Sequence, residues 1–454
     1  MARRSRSPKR GSVPTLETLK QAKVPAGFLD AWHRLVADWE PALPQRRGRK
    51  PRVPLRDLLP ALTFHVLNEA GTLSEHFRQL FHAPLADSSW ADRRARLPWQ
   101  IFADLMQRVL RPQATRRQPD AFWRGWRVMA LDGTQFSLTN TPQITDTFTK
   151  AVTRRGRAAF AKMTAAVLLE VGLHNPVAAA IGRQGESEWA LAQRLLAQLP
   201  KHALLLGDRL YGVIAFAQAA QRACRRVGSH FLLRASRAVK PRRIRPLSDG
   251  TRLVSLAVRA PHHPARVIEW VDVREIRVQV GRKGQRAHEL RLWTTLLDPR
   301  TAPALELAQL YARRWEHELY FRELKRQVRK TAVLQSHTVD TAAQEIAALL
   351  LVSALIATER TRAAPTDIAV VRVSFAKVLD WVRASWLVLT QFDDVITKRQ
   401  LGLYFRRAYH QMGRCITAER RPRSYPRAVR QPVTRWPRLL RNESITGLVH
   451  FKVL

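Results

Sequence analysis

The stretch RVMALDGTQFSL, residues 127–138, decides the fold that the sequence predicts. Its first half is apolar, which is typical of a buried strand, and it runs directly into the triplet DGT at residues 132–134. Ligands of α/β proteins bind where strands end, so the position of Asp132 raises the question of which other polar groups reach the same edge.

Four more predicted strands and two predicted helices follow the first strand. Their order is strand, strand, helix, strand, helix, strand, with the turn HNP between the first two. They occupy residues 161–173, 176–183, 186–199, 202–208, 213–227 and 229–236. This order predicts a mixed α/β sheet with helices on its faces.

A second carboxylate stands at a strand end in the same way. Asp208 follows the fourth predicted strand as Asp132 follows the first, and we expect the two side chains to converge at one edge of the sheet. Each aspartate alone is more often a turn residue or a helix cap, and that alternative stays open. Two such aspartates combined with a third acid on a later helix form a more specific pattern.

The third acid lies on a helix predicted at about 303–330, which contains LYARRWEHELYFRELKRQ at residues 310–327. At about 100° per residue, a continuous helix places four of its side chains on one polar stripe between apolar flanks. They are Tyr311, Arg314, Glu318 and Lys325. Glu316 and Glu323 project elsewhere, and we expect both to be solvated. An i,i+4 ion pair of Arg314 with Glu318, worth about 0.3–0.5 kcal/mol, is the structural alternative, but it leaves Tyr311 and Lys325 unexplained.

The three acids Asp132, Asp208 and Glu318 predict a metal-binding catalytic site. Mg²⁺ prefers oxygen ligands and usually binds a few carboxylates together with waters and substrate phosphate. Two ions about 4 Å apart can activate a water or a 3′-hydroxyl and stabilise the leaving oxygen. We therefore expect two Mg²⁺ ions, with Mn²⁺ as a substitute, and phosphate contacts from Arg314 and Lys325.

The composition predicts a polyanionic partner. The 454 residues include 78 Lys and Arg against 36 Asp and Glu, a formal charge of +42. Nucleic acid is the leading candidate, although a coding bias toward Arg and Ala is an alternative source of part of the excess. Two cysteines are too few for a disulfide framework or a zinc site, and they fit a reducing cytosol. The longest apolar stretch, residues 347–357, predicts a buried core helix, so we expect no membrane partner.

The segments around the predicted core differ from it in composition. Residues 26–115 predict helices, among them one that opens with Thr72 and Glu75 in a capping-box pattern. The run RRGRKPR at 46–52 predicts either a minor-groove contact or a solvated linker. The predicted domains are a basic arm (1–24), a helical domain (25–120), a core in two parts (121–235 and 301–400) around a β-rich insertion (236–300), and a basic C-terminal region (401–454).

Three motifs of the chain resemble the DDE transposases of the insertion-sequence-4 family. They are DGT at 132–134, GDRLYG at 207–212, and the spacing Tyr311-x2-Arg314-x3-Glu318-x6-Lys325. The resemblance covers about residues 25–430 and implies a ribonuclease-H-like core with a β-rich insertion and a helical N-terminal domain that recognises DNA ends. It implies that the metal ligands are Asp132, Asp208 and Glu318. It also implies that the DNA contacts near the cleaved end are Tyr311, Arg314 and Lys325.

The resemblance further implies a reaction and its partners. Cut-and-paste members nick the transposon end, form a hairpin with the freed 3′-hydroxyl, reopen it, and join it to target DNA by transesterification. The implied partners are double-stranded DNA, as terminal inverted repeats and as target, and a second copy of the chain in a homodimeric synaptic complex. The expected location is the bacterial cytoplasm, at the nucleoid. Trp270 or Trp293 is a candidate to stack on an extruded base, although a tryptophan on a strand is more often part of the core.

Two other functions stay open at this point. A metal-dependent nuclease of the same fold would cut DNA without strand transfer, and a non-catalytic relative would only bind it. The Tyr-Arg-Glu-Lys spacing and the insertion favour the transposase over the nuclease. The presence of all three acids argues against a non-catalytic relative.

Overall fold

The structure is a computed structural model of the chain. It describes residues 55–68, 71–81, 86–153, 156–282, 288–329, 331–391, 397–418 and 449–453. The predicted basic arm, the beginning of the predicted helical domain, the run at 46–52 and most of the predicted basic C-terminal region lie outside the described residues.

The helices and strands are numbered in chain order. The helices are α1 (Leu55–Leu67), α2 (Leu73–Phe81), α3 (Asp87–Ala95), α4 (Trp99–Val109), α5 (Pro142–Thr145), α6 (Glu188–Leu195), α7 (Ile214–Val227), α8 (Ala304–Ala312), α9 (Trp315–Glu323), α10 (Val339–Ala363), α11 (Phe375–Gln391) and α12 (Lys398–Arg414). The strands are β1 (Phe122–Trp123), β2 (Trp126–Ser137), β3 (Val152–Thr153), β4 (Gly156–Arg157), β5 (Lys162–Glu170), β6 (Asn175–Ile181), β7 (Ala203–Gly207), β8 (His230–Arg234), β9 (Arg242–Pro246), β10 (Arg252–Ala260), β11 (His263–Arg282), β12 (His288–Thr294) and β13 (Val449–Val453).

The central sheet has the strand order β6-β5-β2-β7-β8-β12-β11-β10-β9. On one side of β2 the strands β5 and β6 run antiparallel, and on the other side β7 and β8 run parallel to it. The strands β2, β5 and β6 are antiparallel neighbours, and β7 and β8 are added in parallel at the other edge of β2. This is the ribonuclease-H-like arrangement. The predicted fold class is therefore confirmed.

The β-rich insertion continues this sheet. Strand β12 pairs with the outer strand of the core, β8, and then with the 20-residue β11, which also pairs with β10. The insertion also contains the short strand β9, which pairs with β10 and whose five residues are all exposed. An additional short strand, β13, pairs with residues 278–282 of β11.

Alternating side chains of β2 divide the packing between the two faces of the sheet, as expected of a strand. Met129 and Leu131 belong to the apolar cluster that contains residues of α6 and α7. Val128 and Ala130 belong to the cluster that contains residues of α8. Because both faces are covered, Val128 to Leu131 are buried. The sequence prediction that the strand ends at Asp132 is wrong, because β2 continues to Ser137 through its pairing with β5; Asp132 instead follows the last residue of β2 that pairs with β7.

The predicted capping box and the predicted core helix are both confirmed. At the start of α2, the Thr72 backbone N–H donates to the Glu75 carboxylate over 2.7 Å, and the Glu75 N–H donates to the Thr72 hydroxyl over 3.2 Å. The apolar stretch 347–357 lies in α10, which by length and composition alone could cross a membrane. Its apolar window is 89% buried inside the protein, which fits a core helix.

The helix predicted at about 303–330 is not continuous. It consists of α8, α9 and a five-residue π-helix, Leu324–Val328. Between α8 and α9 the backbone is closed by i to i+3 hydrogen bonds, such as Arg314 N–H to the Tyr311 carbonyl over 3.0 Å. Such bonds wind the backbone more tightly than an α-helix does. The predicted stripe, which assumed about 100° per residue throughout, is therefore offset at this turn.

Candidate active site

Asp132 and Asp208 are brought together by the parallel pairing of β2 with β7. Leu131 pairs with Gly207, so the two aspartates are the next residues of neighbouring strands, which in a sheet lie about 4.8 Å apart. The Asp132 carboxylate accepts a hydrogen bond from the Gly133 N–H over 2.9 Å, and Asp208 accepts one from the Leu210 N–H over 2.7 Å. The predicted convergence of the two side chains is present.

Glycine is required in the turn that follows Asp208. A Cβ atom on Gly212 would lie 1.8 Å from the carbonyl oxygen of Arg234, which is backbone and cannot move aside cheaply. The Gly212 carbonyl in turn accepts the Ser236 N–H over 2.8 Å. The GDRLYG motif thus packs its second glycine directly against the end of β8, and this contact fixes the turn that begins at Asp208.

Glu318 reaches the same place through Arg314. The Arg314 guanidinium donates to Glu318 Oε1 over 2.9 Å and lies 3.4 Å from Asp132 Oδ2, so one cation links α9 to the end of β2. Burial alone would lower the pKa of Arg314, but Tyr311 and the two carboxylates outweigh it and raise this pKa. The i,i+4 ion pair that the sequence left as an alternative is therefore present, and it also involves Asp132.

A fourth carboxylate, which the sequence reasoning missed, lies beside the two aspartates. Glu188 is the first residue of α6 and accepts a hydrogen bond from the Tyr211 hydroxyl over 2.8 Å. Burial raises its pKa, and the charges of Asp132 and Asp208 raise it further. The sequence signal that could have indicated Glu188 is the glycine at position 133. A Cβ atom there would lie 2.3 Å from Glu188 Cδ.

The oxygen atoms of these carboxylates are the ligand type that a hard divalent cation prefers, but their positions do not form a ready metal site in the described residues. Among the described residues, no three His, Cys, Asp or Glu side chains form a group ready to bind a metal. The position of Arg314 between Asp132 and Glu318 accounts for this. Burial, together with the charge of Asp132, raises the pKa of Asp208, as expected where negative charge is incompletely compensated. Four carboxylates of this kind are the oxygen donors that Mg²⁺ prefers.

His317 is buried next to Asp132. Its side chain has no exposed surface, and neither ring nitrogen has a hydrogen-bond partner within the described residues. Its Nδ1 lies 3.7 Å from Asp132 Oδ2, beyond hydrogen-bond distance. Burial raises the pKa of Asp132, but His317 and Arg314 outweigh this and lower it.

The prediction that Glu316 and Glu323 are solvated is wrong for Glu323, whose side chain is 5% exposed, whereas the side chain of Glu316 is 26% exposed. Both contact His174, a fully buried residue in the turn between β5 and β6, over 2.8 and 2.7 Å. Burial alone would lower the pKa of His174, but the two glutamates outweigh it and raise this pKa. Glu323 also lies 3.5 Å from Arg360 on α10. This buried network fixes α9 against the turn and against α10, and thereby holds Glu318 in place.

Tyr311 and Lys325 lie at either end of the predicted stripe. Tyr311 is only 7% exposed, and burial raises its pKa to about 12. Lys325 is in the π-helix, where its Nζ donates to the Gln135 carbonyl over 2.7 Å and lies 5.1 Å from the centre of the Phe136 ring. Lys325 therefore stands over the strand that carries Asp132, whereas Tyr311 is packed below Arg314. Their predicted DNA contacts stay predictions.

The two tryptophans of the insertion differ in exposure. Trp293 has no exposed surface, and its indole N–H donates to Glu275 over 3.3 Å, so base stacking by Trp293 is excluded in this fold. The reason is that Trp293 belongs to the apolar cluster that contains residues of α7, which covers this face of the sheet. Trp270 is 45% exposed on β11, with the Arg242 guanidinium 5.5 Å from its ring centre. Stacking by Trp270 stays a prediction.

Comparisons with known proteins agree with the resemblance drawn from the motifs. A family model described as the transposase DDE domain matches residues 123–355, about half of the chain. The transposase InsG of insertion sequence element IS4 from Escherichia coli (strain K12) is 24% identical over 337 residues, which are 70% of this chain and 71% of InsG. A solved piggyBac transposase synaptic complex with hairpin DNA is 9% identical, covering 86% of this chain and 82% of that one. Its TM-score of 0.38 is too low to support a conclusion.

Proposed function

Because this chain belongs to the family of transposases with a DDE domain, which act on DNA, we propose that it catalyses cut-and-paste transposition. In this reaction it nicks the ends of its element, closes each end as a hairpin, reopens the hairpin, and joins the 3′-hydroxyl to target DNA. The observation that carries the proposal is the meeting of Asp132 and Asp208 where the parallel pairing of β2 with β7 ends, with Glu318 linked to Asp132 through one guanidinium.

The proposed metal ligands are Asp132, Asp208 and Glu318. The family uses divalent metal ions, and we propose two Mg²⁺ ions, which when bound activate the attacking hydroxyl and stabilise the leaving oxygen. The chain's own contribution is to hold the carboxylates in place. Hydrogen bonds from Gly133 and Leu210 orient the two aspartates, and the buried His174 network holds the helix that carries Glu318.

The proposed DNA contacts surround these acids. Arg314 already holds two carboxylates, and a phosphate beside them offers the same guanidinium a further acceptor. Lys325 and Tyr311 flank it along the chain. Farther out, the exposed strand β9 presents Arg242, Arg243 and Arg245 to solvent, which suits sequence-independent phosphate binding. The proposed assembly is a homodimer that pairs two element ends, in the bacterial cytoplasm at the nucleoid.

The test is incubation with DNA that carries the gene and its flanking sequence, with Mg²⁺, followed by denaturing gels. We expect nicked ends, hairpin strands of doubled length, and products joined to a target plasmid. A pre-cleaved end with a 3′-hydroxyl should be joined, whereas the same end with a 3′-dideoxy terminus should not, because the attacking group is missing. Cutting without joining would identify a nuclease instead, and binding without cutting would identify a non-catalytic relative.

Lys325→Arg is expected to remove a pH dependence of DNA binding. Burial, Arg329 and Lys162 lower the pKa of Lys325 to about 8, so its ammonium loses the proton as the pH rises from 7 to 9. Between pH 7 and pH 9, the affinity of the wild type for DNA should fall by up to about tenfold more than the affinity of the arginine variant, because arginine stays charged. Fluorescence anisotropy with end DNA at constant ionic strength measures this difference.

The matched control is Lys201→Arg, a change at an exposed lysine just before β7. It should retain the wild-type loss of affinity between pH 7 and pH 9. Identical pH profiles for the wild type and Lys325→Arg would show that Lys325 does not contact phosphate.

A further inference from the structure

Glu188 is held at the active site by two independent contacts. Its helix begins there because the Ser187 hydroxyl accepts the Ala190 N–H over 3.2 Å, a helix cap that directs the first turn of α6 toward β2. The Tyr211 hydroxyl, which follows Asp208 in the GDRLYG turn, donates to Glu188 Oε1 over 2.8 Å. The Glu188 side chain lies close to the backbone next to Asp132, because a Cβ atom at position 133 would lie 2.3 Å from Glu188 Cδ and would displace this carboxylate.

The charge of this side chain is not needed for either contact. A neutral glutamine would accept the same hydrogen bond from Tyr211 and would fill the same space over Gly133. Among the described residues, the groups that act most strongly on Glu188 include two further carboxylates, Asp132 and Asp208, and no cation. A third negative charge at this position is unfavourable unless a cation joins the group.

A second observation at the same cluster concerns the buried side chain of His317. The fully buried His317 has its Nδ1 3.7 Å from Asp132 Oδ2, and neither of its ring nitrogens has a hydrogen-bond partner within the part of the chain that the structure describes. Buried polar atoms are nearly always hydrogen-bonded in native proteins. Within the described residues, the negative charge at Glu188 and the unpartnered ring nitrogens of His317 thus both lie close to Asp132.

We propose that Glu188 is a fourth carboxylate of the cation site, which together with Asp132 and Asp208 sets the affinity for the divalent ion. The inference rests on the proposed function, because it concerns the ion that the proposed reaction uses. The role of Glu188 is to place a negative charge beside the metal ligands, where Tyr211 and the first turn of α6 hold it. Position 188 is thus an affinity-determining residue, and its effect is on the binding of the ion.

The experiment is a Mn²⁺ titration of the full chain without DNA, followed by the electron paramagnetic resonance signal of the free ion. Glu188→Gln is expected to weaken Mn²⁺ binding by about tenfold or more, the range found when residues that support metal ligands are changed. In cleavage assays the same variant should need a correspondingly higher Mg²⁺ concentration for half-maximal rate. Its rate should recover toward the wild-type value at saturating Mg²⁺.

Two controls separate this role from a structural one. Glu186→Gln removes the same charge two residues earlier, where the carboxylate pairs with Arg194 over 2.9 Å, and should bind Mn²⁺ as the wild type does. In thermal unfolding without metal, Glu188→Gln should be at least as stable as the wild type, because it removes repulsion. Glu188→Asp, which keeps the charge, should bind Mn²⁺ better than Glu188→Gln.

The outcomes distinguish this inference from the proposed function. Equal Mn²⁺ affinity of Glu188→Gln and the wild type would overturn the inference even if the wild type cuts and joins DNA. A wild type that binds Mn²⁺ but does not cut element ends would overturn the proposed function, and the titration would still decide the role of Glu188. A loss of stability in Glu188→Gln without metal, with unchanged affinity in the folded fraction, would show a structural role alone.

Discussion

Asp132→Asn and Glu318→Gln should each slow cleavage of element ends on the order of a thousandfold or more, while binding of the same DNA stays nearly unchanged. Both substitutions keep the shape of the side chain and remove one negative charge from the proposed cation site. The ion that activates the attacking hydroxyl is then held less well, whereas the basic side chains that contact phosphate are still present. Cleavage rates on end-labelled DNA and gel-shift affinities measure the two quantities separately.

The matched control is Glu306→Gln on α8. Like Glu318, Glu306 is a helical glutamate paired with an arginine, in this case Arg124 over 2.7 Å, but that pair is exposed. This variant should cut at the wild-type rate. A normal cleavage rate in Glu318→Gln with Mg²⁺ would show that Glu318 is not a metal ligand. A loss of DNA binding in step with cleavage would indicate a damaged fold instead.

Glu170→Ala should lower the free energy of unfolding by about 3–5 kcal/mol, the cost of removing one partner from a buried ion pair. Glu170 ends β5 with no exposed surface and forms an ion pair with Arg127. Its carboxylate also accepts the backbone N–H groups of Gln113 and Ala114 over 3.0 and 3.1 Å. The substitution leaves these donors without their acceptor in the interior. Urea denaturation followed by circular dichroism measures the loss.

The comparison for this effect is Glu289→Ala on β12. Glu289 lies 3.8 Å from Arg277, and its side chain is 45% exposed, so water replaces the lost partner. Its denaturation midpoint should stay close to the wild-type value. Equal midpoints for the two alanine variants would mean that the buried carboxylate does not stabilise the junction between the helical segment and the sheet.

The order of the core strands along the chain and the positions of the two aspartates were predictable because both depend on local sequence patterns. Each core strand shows its own apolar run, and each aspartate directly follows one. Parallel pairing of β2 with β7 then places Asp132 beside Asp208 whatever the remaining chain does. The spacing of Arg314 and Glu318 is equally local, since four residues make about one helical turn.

The break between α8 and α9 is a local failure, whereas other failures concern contacts between segments that are distant in sequence. Helical periodicity showed that Glu316 and Glu323 leave the stripe, but it did not show that the turn carrying His174 covers that side of α9. Trp293 could not be assigned to the core until the face of β12 that carries it was known to pack in the cluster that contains α7.

Glu188 was missed for a related reason. An acid in the first turn of a helix is common, because it interacts favourably with the helix dipole, and it carries no functional signal by itself. Its nearness to Asp132 and Asp208 arises only when α6 packs across the end of β2.

The continuous sheet has a consequence for how the protein behaves in concentrated solution. A strand at the margin of a sheet offers unpaired backbone groups on which foreign strands can polymerise into aggregates. Here β12 of the insertion pairs with the edge of β8, so the unpaired edge on this side of the sheet belongs to β9, the last strand in the sheet order. This strand reads RRIRP: three arginines repel an identical strand, and Pro246 lacks the N–H that strand addition requires. The outermost ribbon of the molecule is therefore a poor template for fibril growth.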